Sequence, residues 1–398
     1  MSRTTALLRF LPLFDPTTAH WSREARLIRW LTLVWLGLGL ITLFSASYPV
    51  ALSEGGFGGR YLLIQLLWVF LGLSLFNWVV RQPLTRLVQL SGVGFFVLIG
   101  LLLLTLMPTG ITINGATRWL AIGPFLIQPS ELLKPLLLLQ AARVFGRWSG
   151  LTIATRALWL TLFAFAIAVI LLQPNLSTAA ICGLCLWFVA LAAGLPYRAL
   201  GTTALSGVMI VGLSLKANPY QWERITSFLN PWADPMGNGY QLIQSLLAIG
   251  SGGWFGSGFG FSQQKLFYLP IQYTDFIFSV YAEEFGFVGS CVLLSLIVGY
   301  GTLAMHIATQ AQHRLQRLTA TGAMVLLVGQ ALLNIGVAAG ALPTTGLPLP
   351  LFSYGGSSMI ASLTTAALLV RVARELSEDN VVALPTPSGP DHSPMNVS

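Results

Sequence analysis

Charged residues are scarce in this sequence. Asp, Glu, Lys and Arg make up 9% of its 398 residues, whereas soluble domains carry about 25%. This scarcity excludes a soluble globular protein. The net charge is +8, but the chain has no basic domain. A nucleic-acid partner is therefore excluded, and the basic residues are left to face anionic membrane lipid.

Cysteine and histidine are also few. The three cysteines, Cys182, Cys185 and Cys291, lie within apolar runs, so we expect no structural disulfide and interpret the first two as helix-packing residues. All four histidines lie on or near the side predicted below to be cytoplasmic. Their position excludes a Ser-His-Asp triad or a histidine metal site on the opposite face.

The sequence contains many long apolar runs. A membrane-spanning helix needs about 20 mainly apolar residues, and these runs lack the alternation of a membrane barrel. The sequence therefore predicts an all-α polytopic membrane protein with about ten transmembrane helices. The fourth is short and begins Pro129-Ser130-Glu131, so we expect it to be broken or only partly inserted. The predicted spans are residues 28–48, 61–80, 88–107, 130–147, 157–173, 176–194, 199–215, 276–305, 319–341 and 357–373.

Lys and Arg determine the predicted orientation. Most of the 21 Lys and Arg residues fall on one side if the spans alternate from a cytoplasmic N-terminus, and cytoplasmic loops carry the excess of positive charge. Both termini are therefore predicted to be cytoplasmic. The predicted parts are an N-terminal cytoplasmic segment at 1–27, a membrane domain at 28–375 and a disordered, proline-rich cytoplasmic tail at 376–398.

Three segments on the outer side are rich in glycine, proline and polar residues: 108–128, 216–274 and 342–356. The second is a large extracytoplasmic loop between helices 7 and 8. Long loops commonly carry function, so we predict that the protein works at its outer face, where there is no ATP. The third segment interrupts helical structure at membrane depth, which is tolerated only where the backbone is buried in protein or lines a cavity.

Asp275 is the main candidate for chemistry. It lies where the large loop enters the eighth span, and desolvating a carboxylate there is costly unless it has a task or a partner. Glu283 and Glu284 follow in the same span. A carboxylate in a partly apolar setting can act as a general base. Such acids also cap helices or pair with an arginine, and the residue types alone leave both interpretations open.

Cations on the outer side suit an anionic, phosphate-bearing substrate, because Arg and Lys bind phosphate. Glu131 and Lys134 are three residues apart on one helical face and are expected to form an ion pair. The pair would cap the start of the helix, and this role is compatible with a role in a substrate site. The glycines of 250–260 either cradle an anion with their backbone N–H groups or form flexible turns. The outer or intramembrane cations are Arg60, Arg118, Lys134, Lys216, Arg224 and Lys265.

Seven motifs in order resemble the SEDS family of polytopic cell-wall proteins. Together they cover roughly residues 30 to 375, and seven in order are far more specific than any one of them. The motifs are NGATRW at 114–119, QPSELLK at 128–134, ERITSFLNPW at 223–232, the glycine-rich run 239–260, TDF and EEFG within 274–286, NIG at 334–336, and the Pro- and Gly-rich run 342–358.

The resemblance implies a ten-helix SEDS fold and a peptidoglycan glycosyltransferase that polymerises lipid II at the outer membrane face. Asp275 matches the essential aspartate of the family and is expected to be the catalytic base. By the same resemblance, a divalent cation, Mg²⁺ or Mn²⁺, is expected at Asp275. Glu283 and Glu284 are expected to be structural. The expected substrate contacts are Arg118, Glu131, Lys134, Arg224, Gln241, Lys265 and Ser353.

The resemblance also implies partners and a location. The expected partners are lipid II, undecaprenyl-linked glycan, membrane lipid, a class B penicillin-binding protein with transpeptidase activity, and other divisome membrane proteins. The expected location is the inner membrane at the division septum. The polar extension before the first span favours a division-type member, FtsW, whereas Pro348 favours an elongation-type member, RodA. A lipid II flippase and a non-catalytic scaffold for the transpeptidase are the alternatives.

Four positions depart from the family pattern. Asn175 stands where the family usually has Asp, and Ser177 stands where it usually has Gly. An ion pair from Lys134 to position 175 is therefore reduced to a hydrogen bond in our expectation. Ile271 and Tyr273 replace the Glu and His that often precede the Thr-Asp pair. These differences affect the local geometry of the expected site.

Overall fold

The computed structural model describes residues 21–113, 116–123, 125–217 and 219–382. Most of these residues are helical, and a small antiparallel sheet lies on one side of the helices. The helices are α1 (Arg23–Ser53), α2 (Arg60–Arg81), α3 (Leu84–Thr105), α4 (Pro129–Gly146), α5 (Ile153–Leu172), α6 (Leu176–Ala192), α7 (Tyr197–Ala217), α8 (Pro219–Leu229), α9 (Tyr240–Ser251), α10 (Ile277–Gln310), α11 (Arg314–Ala338) and α12 (Gly356–Val382).

All ten predicted spans are helices. Eight helices in the described part of the chain are long and apolar enough to cross a membrane, and α6 is a shorter apolar helix of the same bundle. The remaining span, α4, was expected to be broken or only partly inserted. It is a continuous helix, so the expectation of a break is wrong, while partial insertion stays a prediction. It runs from Pro129 to Gly146 with Pro135 inside it. Pro129 lies in the first turn, where the missing N–H costs no helix bond.

Two predicted boundaries differ from the structure. The predicted disordered tail begins at 376, but α12 continues to Val382. The Glu375 carboxylate near that end accepts a hydrogen bond from Leu84 N at 2.7 Å and pairs with Arg371 at 2.9 Å, which ties α12 to the start of α3. At the other end, α1 begins at Arg23, inside the predicted segment 1–27. Residues 1–20 and 383–398 lie outside the described residues.

The outer loops carry more regular structure than the sequence indicated. Within 216–274 the chain forms α8 and α9. Within 108–128 it forms an antiparallel sheet of β1 (Gly110–Ile113), β2 (Ala116–Ile122) and β3 (Phe125–Ile127), with Leu120 opposite Ile127. The fold is therefore helical with one small sheet, which the all-α prediction missed because such short strands have little periodic signal.

The core of the bundle is centred on α12, which packs against α1, α2, α4 and α11. Its apolar side chains are almost all buried, whereas those of α7 are almost all exposed. A helix that is apolar all round suits a position inside a bundle or against lipid. Polar side chains inside the bundle pair across helices: Gln140 Nε2 donates to Ser91 Oγ at 2.7 Å. Such pairs satisfy groups that would otherwise be buried without a partner.

A break in α10 explains the glycine-rich run. At Gly286 the backbone has φ 68° and ψ −164°, a region essentially confined to glycine. Residues 252–258 pack their backbone into this break: Phe287 N donates to Gly253 O at 2.8 Å, and Ser257 N donates to Glu283 O at 2.9 Å. A Cβ at Gly256 would lie 2.1 Å from Glu284 O. Gly252 and Gly256 therefore allow close backbone packing, whereas a Cβ at Gly250, Gly253 or Gly260 would meet nothing within 4 Å. The run does contain turns, as one interpretation expected, and the anion cradle stays a prediction.

We predict that Gly286→Ala destabilises the protein. A Cβ there would lie 2.3 Å from Gly256 N in a backbone conformation that alanine avoids. The backbone strain alone costs about 1 to 3 kcal/mol, so the thermal midpoint in detergent is expected to fall. Gly299→Ala in the same helix is the control, because a Cβ there meets nothing within 4 Å. Equal midpoints for the two variants would contradict the packing role of Gly286.

Candidate active site

Asp275 lies just before α10, at the end of the large loop. Its side chain is half-buried, and its Oδ1 accepts a hydrogen bond from Thr274 Oγ1 at 2.5 Å. Its backbone carbonyl accepts a hydrogen bond from Asn334 Nδ2 of α11 at 2.7 Å. At the edge of the bundle, a neighbouring hydroxyl thus bonds the carboxylate, and a buried amide bonds the backbone of the same residue.

Residues 342–355 form an irregular segment beside Asp275. Asn334 Nδ2 also donates to Leu347 O at 2.7 Å, so one amide joins the segment to Asp275. Ser353 Oγ donates to Thr274 O at 2.6 Å and accepts from Leu349 N at 2.8 Å. Residues 349–353 of this segment are buried and 342–345 are half-buried, and the expectation that the segment lines a cavity stays a prediction. Ser353, predicted to bind substrate, has its hydroxyl engaged with the loop that carries Asp275.

Arg224 is the predicted cation that the structure brings to Asp275. It projects from α8, and its Nη1 donates to Thr344 O at 3.2 Å. A Cβ built on Gly346 would lie 3.5 Å from Asp275 Oδ2 and 3.8 Å from Arg224 Nη1. The carboxylate and the guanidinium therefore face the same glycine, and the absence of a side chain there keeps the space between them open.

Glu131 and Lys134 form the predicted ion pair, 2.7 Å apart and buried. Lys134 Nζ also donates to Gln330 Oε1 at 2.8 Å, and Gln330 Nε2 donates to Pro348 O at 2.8 Å. The ion pair is therefore linked to the irregular segment through Gln330. Beside it is a cavity with room for about one water molecule. The cavity is lined by Glu131, Lys134, Leu326, Leu327, Gln330, Ala361, Ser362 and Thr365.

The expected hydrogen bond from Lys134 to Asn175 is wrong. Within the described ranges, Lys134 Nζ donates to Glu131 and Gln330. Asn175 Oδ1 instead accepts from Thr178 N at 3.3 Å and caps the start of α6. Lys134 instead bonds the carboxylate one helical turn away and the amide oxygen of Gln330, while the Asn175 oxygen is used at the start of α6.

Lys265 is buried at a different place. Its Nζ pairs with Glu284 Oε1 at 2.8 Å and donates to Ser45 Oγ of α1 at 2.8 Å. Glu283 accepts from Gln263 N at 2.8 Å and from Ser262 Oγ. Glu283 and Glu284 thus hold the loop to α10 and α1, as expected of structural residues. No contact among the described residues joins Lys265 to Asp275.

The side chains of Arg118 and Gln241 donate hydrogen bonds to backbone carbonyl groups. Arg118, in β2, donates from Nε to Gln173 O at 3.1 Å and from Nη2 to Pro174 O, which fastens the sheet to the turn between α5 and α6. Gln241 Nε2 donates to Pro270 O at 3.4 Å. Of the predicted substrate contacts, the structure therefore brings Arg224 and Ser353 beside Asp275.

Sequence reasoning missed Gln330 and gave Asn334 no role in the site beyond its place in the NIG motif at 334–336. The two are four residues apart on one face of α11, immediately after a π-helical turn at Val325–Gly329. Such turns are frequent at functional sites. The sequence signal that could have identified them is the spacing of two amide side chains, at i and i+4, in an otherwise apolar span.

The donor set near Asp275 limits how a metal could bind. Among the described residues, no group of three or more His, Cys, Asp or Glu side chains could hold an ion. Mg²⁺ commonly binds through one or two carboxylates together with substrate phosphates and water. The Asp275 carboxylate therefore fits a cation that arrives with a phosphate-bearing substrate, and does not fit a cation held by the protein alone.

Known proteins resemble this chain over nearly its whole length. The sequence model of the FtsW/RodA/SpoVE family, described as "Cell cycle protein", matches residues 25–378. A Synechocystis protein named "Probable peptidoglycan glycosyltransferase FtsW" is 52% identical, over 96% of this chain and 98% of that protein.

Solved structures resemble the chain too. The crystal structure of the Thermus thermophilus rod shape determining protein RodA has a TM-score of 0.65 at 31% identity, covering 87% of this chain and 96% of RodA. A chain from "Structural coordination of polymerization and crosslinking by a peptidoglycan synthase complex" has a TM-score of 0.71 at 34% identity, covering 88% of this chain and 98% of that chain.

We predict that Lys134→Met lowers the free energy of unfolding by about 3 to 5 kcal/mol, because it leaves the buried Glu131 carboxylate unpaired. Arg60→Met is the matched control: it breaks the exposed Arg60–Glu54 pair, 3.4 Å apart, and such pairs contribute about 0 to 1 kcal/mol. Chemical denaturation in detergent measures both. A Lys134→Met protein as stable as Arg60→Met would show that the buried pair does not support the segment.

Proposed function

This chain belongs to the FtsW/RodA/SpoVE family of cell cycle proteins, and from that premise we propose that it is a peptidoglycan glycosyltransferase of the FtsW type that polymerises lipid II. The observation that carries the proposal is Asp275, which is half-buried, fixed by Thr274 and Asn334 and faced by Arg224 across Gly346. The identity of 52% to a relative named as this enzyme supports the same activity.

The geometry suits Asp275 as the general base. Its carboxylate takes the proton from a hydroxyl of the acceptor sugar, and that oxygen forms a bond to the anomeric carbon of the donor sugar. The bond from this carbon to the diphosphate oxygen breaks, and the diphosphate leaves with the electron pair. Thr274 already bonds Oδ1, so Oδ2, on the open side at Gly346, is the oxygen placed to receive the proton.

Arg224 is the cation best placed to stabilise the departing diphosphate, because it faces the same glycine as Asp275. Lys134 and Lys265 are already paired with buried carboxylates. We therefore propose that Glu131, Lys134 and Lys265 support the site, while Arg224 acts on the diphosphate. Arg118 and Gln241 retain their proposed roles at the substrate edge, since both hold loops that border the site.

A divalent cation, Mg²⁺ or Mn²⁺, is part of the proposal, with Asp275 as its protein ligand and the diphosphate as the other. When bound there, the cation would neutralise charge on the leaving group. Asp275, Thr274 and Arg224 would orient the diphosphate and the attacking hydroxyl both with and without the cation. The test of the cation is whether activity is lost with a chelator and restored by adding Mg²⁺ or Mn²⁺.

The protein is a multi-pass membrane protein, and the proposal places it in the inner membrane at the division septum with both termini in the cytoplasm. The partner that fits is a class B penicillin-binding protein, alongside other divisome proteins and membrane lipid. Support comes from the structural resemblance to a chain of a complex that coordinates polymerization and crosslinking. The FtsW name of the relative at 52% identity favours a division role over elongation.

We predict that Asp275→Asn lowers lipid II polymerisation by at least about a hundredfold, the usual contribution of a general base. The measurement uses purified protein with its transpeptidase partner, lipid II and a divalent cation, and follows glycan strands on gels. Asp234→Asn is the control, because Asp234 is an exposed acid of the same loop whose contacts are to backbone N–H groups.

Normal strands from Asp275→Asn would overturn the assignment of the base. Absence of strands from every sample, the wild type included, would count against the glycosyltransferase. Translocation of lipid II in vesicles would then decide between a flippase and a scaffold.

A further inference from the structure

Three tyrosine rings form a cluster next to the loop that carries Asp275. Tyr61 lies at the start of α2, Tyr273 precedes Thr274, and Tyr354 follows Ser353. The Tyr61 ring is 5.0 Å from that of Tyr273 and 5.2 Å from that of Tyr354, and the last two are 5.7 Å apart between centroids. All three are half-buried, so each keeps part of its ring at the surface.

The rim of this tyrosine cluster is polar and balanced in charge. Tyr61 Oη donates to Glu54 Oε1 at 2.8 Å, and Glu54 pairs with Arg60 at 3.4 Å. Glu54 and Arg60 are both exposed, with side chains 42% and 58% accessible, so they can still bond a ligand.

The cluster is physically tied to Asp275. Tyr354 N donates to Tyr273 O at 2.9 Å, and the adjacent Ser353 Oγ donates to Thr274 O. Two residues of extended chain span at most about 7 Å, so the Tyr273 and Asp275 backbones lie within that distance. A ligand resting on the rings is therefore positioned by the same short stretch of backbone that carries Asp275.

We propose that Tyr61, Tyr273 and Tyr354 form a sugar-binding platform for the acceptor sugar, the ring whose hydroxyl Asp275 deprotonates. This inference rests on the proposed glycosyltransferase function and adds a subsite to it. A pyranose has an apolar C–H face and a rim of hydroxyl and amide groups. Aromatic rings with polar ends match this pattern, since they offer apolar contact beside hydrogen-bonding groups.

The charges bear on which sugar is bound. The exposed Glu54–Arg60 pair leaves the rim of the cluster without net charge, which suits an uncharged sugar. The diphosphate instead suits the side where Arg224 and Asp275 face Gly346. The platform therefore fits the sugar that is remote from its own diphosphate. Tyr273 stands where the family often has another residue, so this platform belongs to the present sequence and not to the shared motif.

The first experiment measures sugar binding without turnover. Full-length protein with Asp275→Asn, in lipid nanodiscs, is titrated with the soluble disaccharide pentapeptide that carries neither lipid nor phosphate, and binding is followed by saturation-transfer NMR. Adding Tyr273→Leu is expected to weaken binding about three- to tenfold, the scale of one aromatic contact. Tyr273→Phe keeps the ring and is expected to preserve binding.

Tyr268→Leu is the matched control, because Tyr268 is an exposed tyrosine of the same loop outside the cluster. Tyr61→Leu provides a second test in case Tyr273→Leu does not fold. Unchanged binding in both Leu variants of the cluster overturns the platform, and so does an equal loss in Tyr268→Leu.

A second readout separates this proposal from the function on which it rests. With lipid II as substrate, Tyr273→Leu in the otherwise wild-type protein is expected to raise KM more than it lowers kcat. A fall in kcat at constant KM would overturn a binding role. If the wild type makes no glycan at all, the proposed function fails, while the disaccharide titration still tests the platform by itself.

Discussion

Backbone groups at membrane depth have no water to bond with, and this constraint organises the site. Residues 342–355 are not helical, so their carbonyl groups need partners from elsewhere in the protein. Side chains from four helices supply them. Arg224 bonds Thr344 O, Ser177 bonds Thr345 O, Asn334 bonds Leu347 O, Gln330 bonds Pro348 O and Gln65 bonds Ser353 O. This segment contacts the backbone of Thr274 through Ser353 and shares Asn334 with that of Asp275, so the same bonds also position the backbone around Asp275.

Burial of charge imposes a second condition. An unpaired ion inside the protein costs several kcal/mol, and the two buried lysines each lie against a glutamate, Glu131 for Lys134 and Glu284 for Lys265. The same two lysines also bond Gln330 of α11 and Ser45 of α1, which joins α4 to α11 and the large loop to α1. Asp275 differs from them because it is half-buried and bonded by a hydroxyl. A carboxylate in that setting remains accessible to a substrate hydroxyl, as a base must be.

Individual residues show how the expected site compares with the structure. Asp275 and Arg224 were chosen for their charge, and both face Gly346. Lys265 was chosen by the same rule, yet it is buried against Glu284, because a list of charged residues does not show which charges neutralise each other. The glycines of 250–260 were interpreted as turns or an anion cradle. The packing role of Gly252 and Gly256 depends on the break at Gly286, thirty residues after Gly256.

The sequence by itself determined the class of protein and the ten helices, because these follow from local composition: apolar length and helix-breaking residues. Tertiary structure alone decided which polar groups meet. Tyr61 joins Tyr273 and Tyr354, and Asn334 joins Asp275 to Leu347, across separations that local patterns cannot encode. The physical reason is that a hydrogen bond or ring contact requires atoms within a few ångströms. Only the packing of α2, α11 and the irregular segment brings these residues that close.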